Sequence, residues 1–278
     1  MSLIGTAAAP ESSRAILSGR ASERTFLAAS ALLFATSATV TIVWCASMSA
    51  MGDMSMPGGW TMSTAWMRMP GQTWLGAAAS FLGMWLVMMV AMMLPSLVPT
   101  LLRYRHAVSA TGERRPGRLT ALVGAGYFSV WTACGVAVFP LGAALATVEM
   151  QQAGLARAVP SAVGVVILIA GMLQLTPWKT HHLACCQAAA MRGSVLPSDV
   201  GTAWRQGLRV GFHCICCCAS LMAILLVVGV MDLRAMAVVT AAITAERLAP
   251  ASKRVAQAIG AVVVGAGLFL ISQAAGLG

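Results

Sequence analysis

The sequence predicts an all-α, polytopic transmembrane bundle of about seven spans, and three observations carry the prediction. Of 278 residues, 59% are apolar and only 9% are charged, a balance that soluble domains rarely show. Apolar runs of roughly 20 residues, the length that crosses a hydrocarbon core, recur along the chain. The basic residues behind the net charge of +10 sit between those runs and on one side of them. That asymmetry is the positive-inside pattern of a membrane protein and not the continuous basic face of a nucleic-acid binder.

The elements follow in order. A polar tail, residues 1–24, carries Arg14, Arg20 and Arg24 and is expected in the cytoplasm. The remainder, 25–275, reads as one membrane domain with spans near 25–47, 73–102, 119–148, 159–178, 207–231, 235–250 and 255–275. The first run is as long as a full span and no A-x-A-type site follows it, so a retained helix is expected and not a cleaved signal. Breaks are marked by Pro57 with Gly58 and Gly59, by Glu113 to Gly117, and by Pro160, Pro197 and Pro250. The sixth run is short and ends in charge. With the N-terminus inside, only Arg68, Arg157 and Arg234 fall on the outer side. Spans two and four share a proline near their inner ends, and spans three and five open Gly-aromatic (Gly126-Tyr127, Gly211-Phe212), a faint internal repeat.

The chemistry concentrates in the fifth span, where residues 211–222 read GFHCICCCASLM. At helical spacing Cys214, Cys217, Cys218 and Met222 share one stripe, with His213 a turn from Cys217, while Cys216 faces elsewhere. Thiols and thioethers suit soft ions such as Cu(I), and thiolate or imidazole also suits Zn. Cysteine also buries well as a small hydrophobe; four in five positions beside a histidine exceed what packing calls for. In the second span Met84, Met88 and Met92 recur every four residues, as do Met89 and Met93, giving a sulfur stripe that flexible packing would also explain. The outer loop 48–70 holds Met48, Met51, Met54 and Met56 with Asp53, candidates for capture in an oxidising compartment where thiols would be lost. After Pro177 come Lys179, read as an anchor at the inner surface, and His181, His182, Cys185 and Cys186, each His four residues from a Cys. Glu246 is a carboxylate within a span. It is a functional candidate for charge or proton handling, with pairing to Arg247 at a helix end as the alternative. Cys45 and Cys134 read as ordinary buried residues, with an outer disulfide as the alternative, and Tyr127, Trp131 and Gln174 as packing or hydrogen-bonding residues.

Four segments together resemble a bacterial family of predicted metal-binding integral membrane proteins (domain of unknown function 2182). They are GMWLVMMVAMMLPSLVP (83–99), GYFSVW (126–131), QLTPWKTHHLACCQ (174–187) and GFHCICCCASLM through AERLAP (211–250). In that pattern Cys186 matches the second of two cysteines four apart, and His182 replaces the first. Cys214, Cys217, Cys218, Leu221 and Met222 match the fifth-span motif with Cys216 at a glycine position, and Glu246 stands where the family is acidic. The resemblance implies metal binding in a bacterial inner membrane. The Met-rich loop lies outside it.

The leading expectation is handling of a soft metal, copper first and zinc second, in transport or delivery across the lipid bilayer: gathered by the Met loop, passed along the second-span thioethers to Cys214, Cys217 and Cys218, and released near His182 and Cys186, with a metallochaperone or membrane complex as partner. No Walker motif is present, so the chain is not expected to hydrolyse ATP. Membrane thiol–disulfide exchange and a purely structural subunit are the competing classes.

Overall fold

The computed structural model describes residues 9–50, 54–55, 60–62, 66–68, 71–113, 115–192 and 199–276. Among these are eight α-helices: α1 (Ala9–Ala50), α2 (Trp74–Ala110), α3 (Pro116–Gln151), α4 (Ala153–Leu175), α5 (Pro177–Arg192), α6 (Val200–Val228), α7 (Leu233–Leu248) and α8 (Ser252–Ala274). A two-residue ribbon joins β1 (Met54–Ser55) to β2 (Thr61–Met62), pairing Met54 with Met62. The protein is a polytopic helical membrane protein. Six helices are long and apolar enough to cross a bilayer: residues 19–48 of α1, α2, α3, 154–175 of α4, α6 and α8.

The run at 235–250 is not among the six. It folds as the 16-residue α7, about 24 Å long against a core of about 30 Å. Asp232 fixes its start by accepting from the backbone N–H groups of Arg234 and Ala235. Pro160 does not break the chain as expected; it lies in the second turn of α4, near enough to the helix start that only one interior hydrogen bond is lost. The fourth run ends at Thr176, at the break that Pro177 marks in the sequence, and Pro177 opens α5 as its first residue, the position where a missing N–H costs nothing.

Small residues set how the helices meet, as expected where lipid removes any hydrophobic drive between them. α4 and α8 share the most extensive interface and run antiparallel. A Cβ on Gly171 would lie 2.7 Å from Val264 N, one on Gly267 2.7 Å from Leu168 N, and one on Gly164 2.8 Å from Ile271 Cγ1. α3 and α6 run parallel and approach through backbone: a Cβ on Gly126 would fall 2.7 Å from Trp204 O, and one on Gly207 would strike Val123 O. α2 crosses α3 antiparallel, with Trp85 Nε1 donating to Trp131 O at 2.9 Å over Gly135. The suggested repeat does not extend to side chains, since Tyr127 is wholly buried and Phe212 is 62% exposed.

α2 and α6 carry the longest buried faces and form the centre. α1 packs on α2 and leaves Leu32, Leu33, Ile42 and Val43 exposed, as a lipid-facing helix would. One end of the bundle carries the first loop and the α6–α7 turn. There Trp60 Nε1 donates to Ala156 O at 2.8 Å, and the Trp66 ring lies tilted 5.2 Å from Phe81, which ties both tryptophans to the helix ends.

Candidate metal centre

α6 begins at Asp199, whose carboxylate accepts from Thr202 N at 3.0 Å. From that start the 3.6-residue repeat turns one stripe toward α3 and α7. Cys214, Cys217, Cys218, Leu221 and Met222 are all buried, while His213, Ile215 and Cys216 flank the stripe and are half-buried. The three Sγ atoms lie within 4.8 Å of one another. Cys218 Sγ is 3.8 Å from Cys214 Sγ and 3.5 Å from Cys217 Sγ. All eight cysteines are free thiols.

Other helices complete the surroundings. α3 places Tyr127 Oη 3.0 Å from Cys214 Sγ. α7 delivers Arg247, whose Nη1 donates to Cys214 Sγ at 3.3 Å and to Ser96 Oγ of α2 at 2.8 Å. α5 contributes buried Cys186, whose thiol interacts with Cys217 and Arg247. Beside the thiols lies a buried polar clamp. Lys179 Nζ donates to the Cys217 carbonyl and to Glu246 Oε2 at 2.7 Å. Gln174 Nε2 donates to Glu246 Oε1 at 2.6 Å, and Ser220 Oγ donates to Gln174 Oε1 at 3.1 Å. Lys179 and Glu246 are each only 1% exposed. In so apolar a setting each charge depends on the other, so the clamp locks α4, α5, α6 and α7 together at the level of the thiols.

The sequence-predicted residues divide accordingly. Cys214, Cys217 and Cys218 come together, with Cys186 beside them. Met88, Met92 and Met222 are buried in the same core cluster; Met92 stands one turn from Ser96 and so near the level of Cys214. His213 is outside the sulfur triad, its ring 6.4 Å from that of Phe212. His182 is also outside it. Its ring packs 4.5 Å from Trp178 and 5.5 Å from His181, and its Nδ1 is buried without a hydrogen-bond partner among the described residues. His181 Nε2 and Cys185 Sγ meet at 3.5 Å on the exposed side of α5. Met48 is half-buried on α1, Met54 is described only as part of β1, and Met51 and Met56 lie outside the described residues.

Three readings are corrected. Lys179 is no surface anchor but a buried cation. Glu246 pairs with Lys179 and not with Arg247. Arg247, expected at a helix end, turns inward to sulfur. Tyr127 and Gln174 are hydrogen-bonding residues, as one of the two readings had them, and each puts a polar group into the site. The signal was present for the charged ones, because Lys179, Glu246 and Arg247 all border apolar runs, where ionised groups are costly and rarely idle.

Chemically, three thiols within 4.8 Å of one another make a compact soft-donor set that fits a soft ion, and a guanidinium donates to one of the sulfurs. A buried sulfur triad on a membrane helix defines a class: a polytopic membrane protein with a candidate soft-metal centre. Residues 82–270 match the profile of PpoB2, described as a copper chaperone. The match covers more than half of the 278 residues, and the chain belongs to this copper chaperone family. No curated protein and no solved structure matches it.

Proposed function

We propose that this protein binds Cu(I) inside the membrane at Cys214, Cys217 and Cys218 and hands it on to an acceptor, as a delivery or transport component. The observation that carries the reading is the buried sulfur triad with its guanidinium neighbour. Two thiolates, Cu(I) and the Arg247 cation sum to zero charge, which suits a buried site. The third thiol and Cys186 offer an incoming or outgoing sulfur, so the ion can change partners without becoming bare. Zn(II) with three thiolates and Arg247 would also be neutral; the softness of an all-sulfur set and the family favour copper. His182 and His213 stand as ligands recruited during transfer. Glu246 serves as the fixed counter-charge of Lys179. By the positive-inside pattern the N-terminus faces the cytoplasm of a bacterial inner membrane, and the Met-rich loop faces outward, where thioethers gather the ion.

The test is Cu(I) titration of the full chain, purified in detergent under reducing conditions, against a competing chromophoric chelator, together with elemental analysis. Tight Cu(I) binding that the combined Cys214→Ala, Cys217→Ala and Cys218→Ala replacement abolishes is expected. Unchanged copper binding by that variant, or a reversible disulfide among these thiols with no copper bound, would overturn the reading. Zinc in place of copper would reassign the ion.

A further inference from the structure

A second sulfur pair lies at the loop end of the bundle. Cys45 of α1 is buried, and its Sγ lies 3.8 Å from Met231 Sδ in the α6–α7 turn. These residues are 186 positions apart in sequence, so no motif could have joined them. An ion about 2.3 Å from each sulfur would subtend roughly 110° at this separation, close to the tetrahedral angle. Asp232 follows Met231 in the chain and holds its carboxylate at the start of α7, and a carboxylate at this end of the bundle favours a cation. Met48, half-buried, sits three residues beyond Cys45 on the same helix.

The pair is also in register with the deeper sulfurs. Arg105 bonds Ser22, and His106 meets Glu23 at 3.5 Å, so α1 and α2 run antiparallel and Cys45 comes level with Met84. From there Met84, Met88 and Met92 descend one face of α2 at steps of about 6 Å. All three are buried in one core cluster with Cys45 and the thiol triad. Met92 is one turn short of Ser96, which shares Arg247 with Cys214. Sulfur therefore lines the core from the loop end to the thiol centre, about 18 Å along the helix axis.

We infer that Cys45 and Met231 form a second site for a soft monovalent ion, Cu(I), and that the α2 methionines connect it to the thiol centre. The inference rests on the copper-handling reading and extends it. A thiol at each end holds the ion firmly. Neutral thioethers between them hold it weakly and need no proton exchange, so the ion moves by substitution of one sulfur for another.

The experiment is Cu(I) stoichiometry of the reduced full chain by chelator competition, in four proteins: the native chain, Cys45→Ser, Met231→Leu, and the triple alanine variant of the thiol centre. The native chain is expected to bind about two ions, and each outer variant about one. The triple variant keeps the ion that Cys45→Ser removes. Met231→Leu conserves volume and apolarity, so it reads ligation even where Cys45→Ser disturbs folding. Equal stoichiometry in the native chain and Met231→Leu, or a native chain that binds a single ion lost only in the triple variant, overturns the second site. Failure of the thiol centre itself shows differently, as copper binding unaltered in the triple variant.

Discussion

Arg247 and the Lys179–Glu246 pair make the sharpest claims about single residues. Arg247→Gln keeps a donor but removes the charge beside Cys214. A hydrogen bond to a charged group contributes about 1.5–3 kcal/mol, so Cu(I) affinity should fall roughly 10- to 100-fold, read by chelator competition, with Arg247→Lys intermediate. Tyr127→Phe should cost far less, on the order of 0.6 kcal/mol, the usual scale for side-chain hydrogen bonds between membrane helices. For the clamp, Glu246→Gln leaves Lys179 buried and unpaired and should destabilise by about 3–5 kcal/mol. The double change Lys179→Met with Glu246→Gln should recover most of that loss in a denaturation series. A double variant no more stable than Glu246→Gln would show that the pair is not coupled. The thiols were legible because helical spacing alone puts Cys214, Cys217 and Cys218 on one face. Their partners were not, since which way Arg247 turns depends on where α2 and α6 place Ser96 and Cys214.

At the scale of elements, the close approach of α3 and α6 positions Tyr127. A side chain at Gly207 would meet Val123 O, so Gly207→Leu should force the helices apart, destabilise the fold and weaken copper binding together. Leucine at exposed Gly83, where a Cβ meets nothing within 4 Å, should leave both unchanged. The start of α6 is sensitive to acid. Bonds from Thr202 hold the Asp199 carboxyl below its ordinary range. Its contribution is therefore full above the unfolded-chain value and is lost as pH falls through the depressed folded value. Hydrogen exchange at the Thr202 amide should accelerate over that interval, and Asp199→Ala should abolish the dependence. Helix existence was readable from apolar runs of adequate length. Helix ends were less so: Pro160 is tolerated near the start of α4, whereas Pro177 coincides with a real break, and proline alone does not distinguish the two. The depth reached by α7 was hidden because a 16-residue apolar run is compatible with a short span or a partial one.

For the molecule as a whole, a ligand that binds only the folded bundle must stabilise it. At a free Cu(I) level about 100 times Kd the gain is roughly 2.7 kcal/mol, so the melting temperature should rise with copper and return on chelation, and should not move in the triple alanine variant. Sequence reasoning reached the membrane class, the thiol stripe and a soft-metal role. It missed the contact of Cys45 with Met231 and the convergence of four helices on one clamp, because both join positions far apart in the chain. The interface of α4 with α8 carries a separate consequence. The last helix touches little else so extensively, and its fit to α4 is written in glycines on both partners. A chain cut at the α7–α8 turn near Pro250 should therefore reassemble from two co-expressed fragments, and bulky replacement of Gly171 or Gly267 should prevent that complementation.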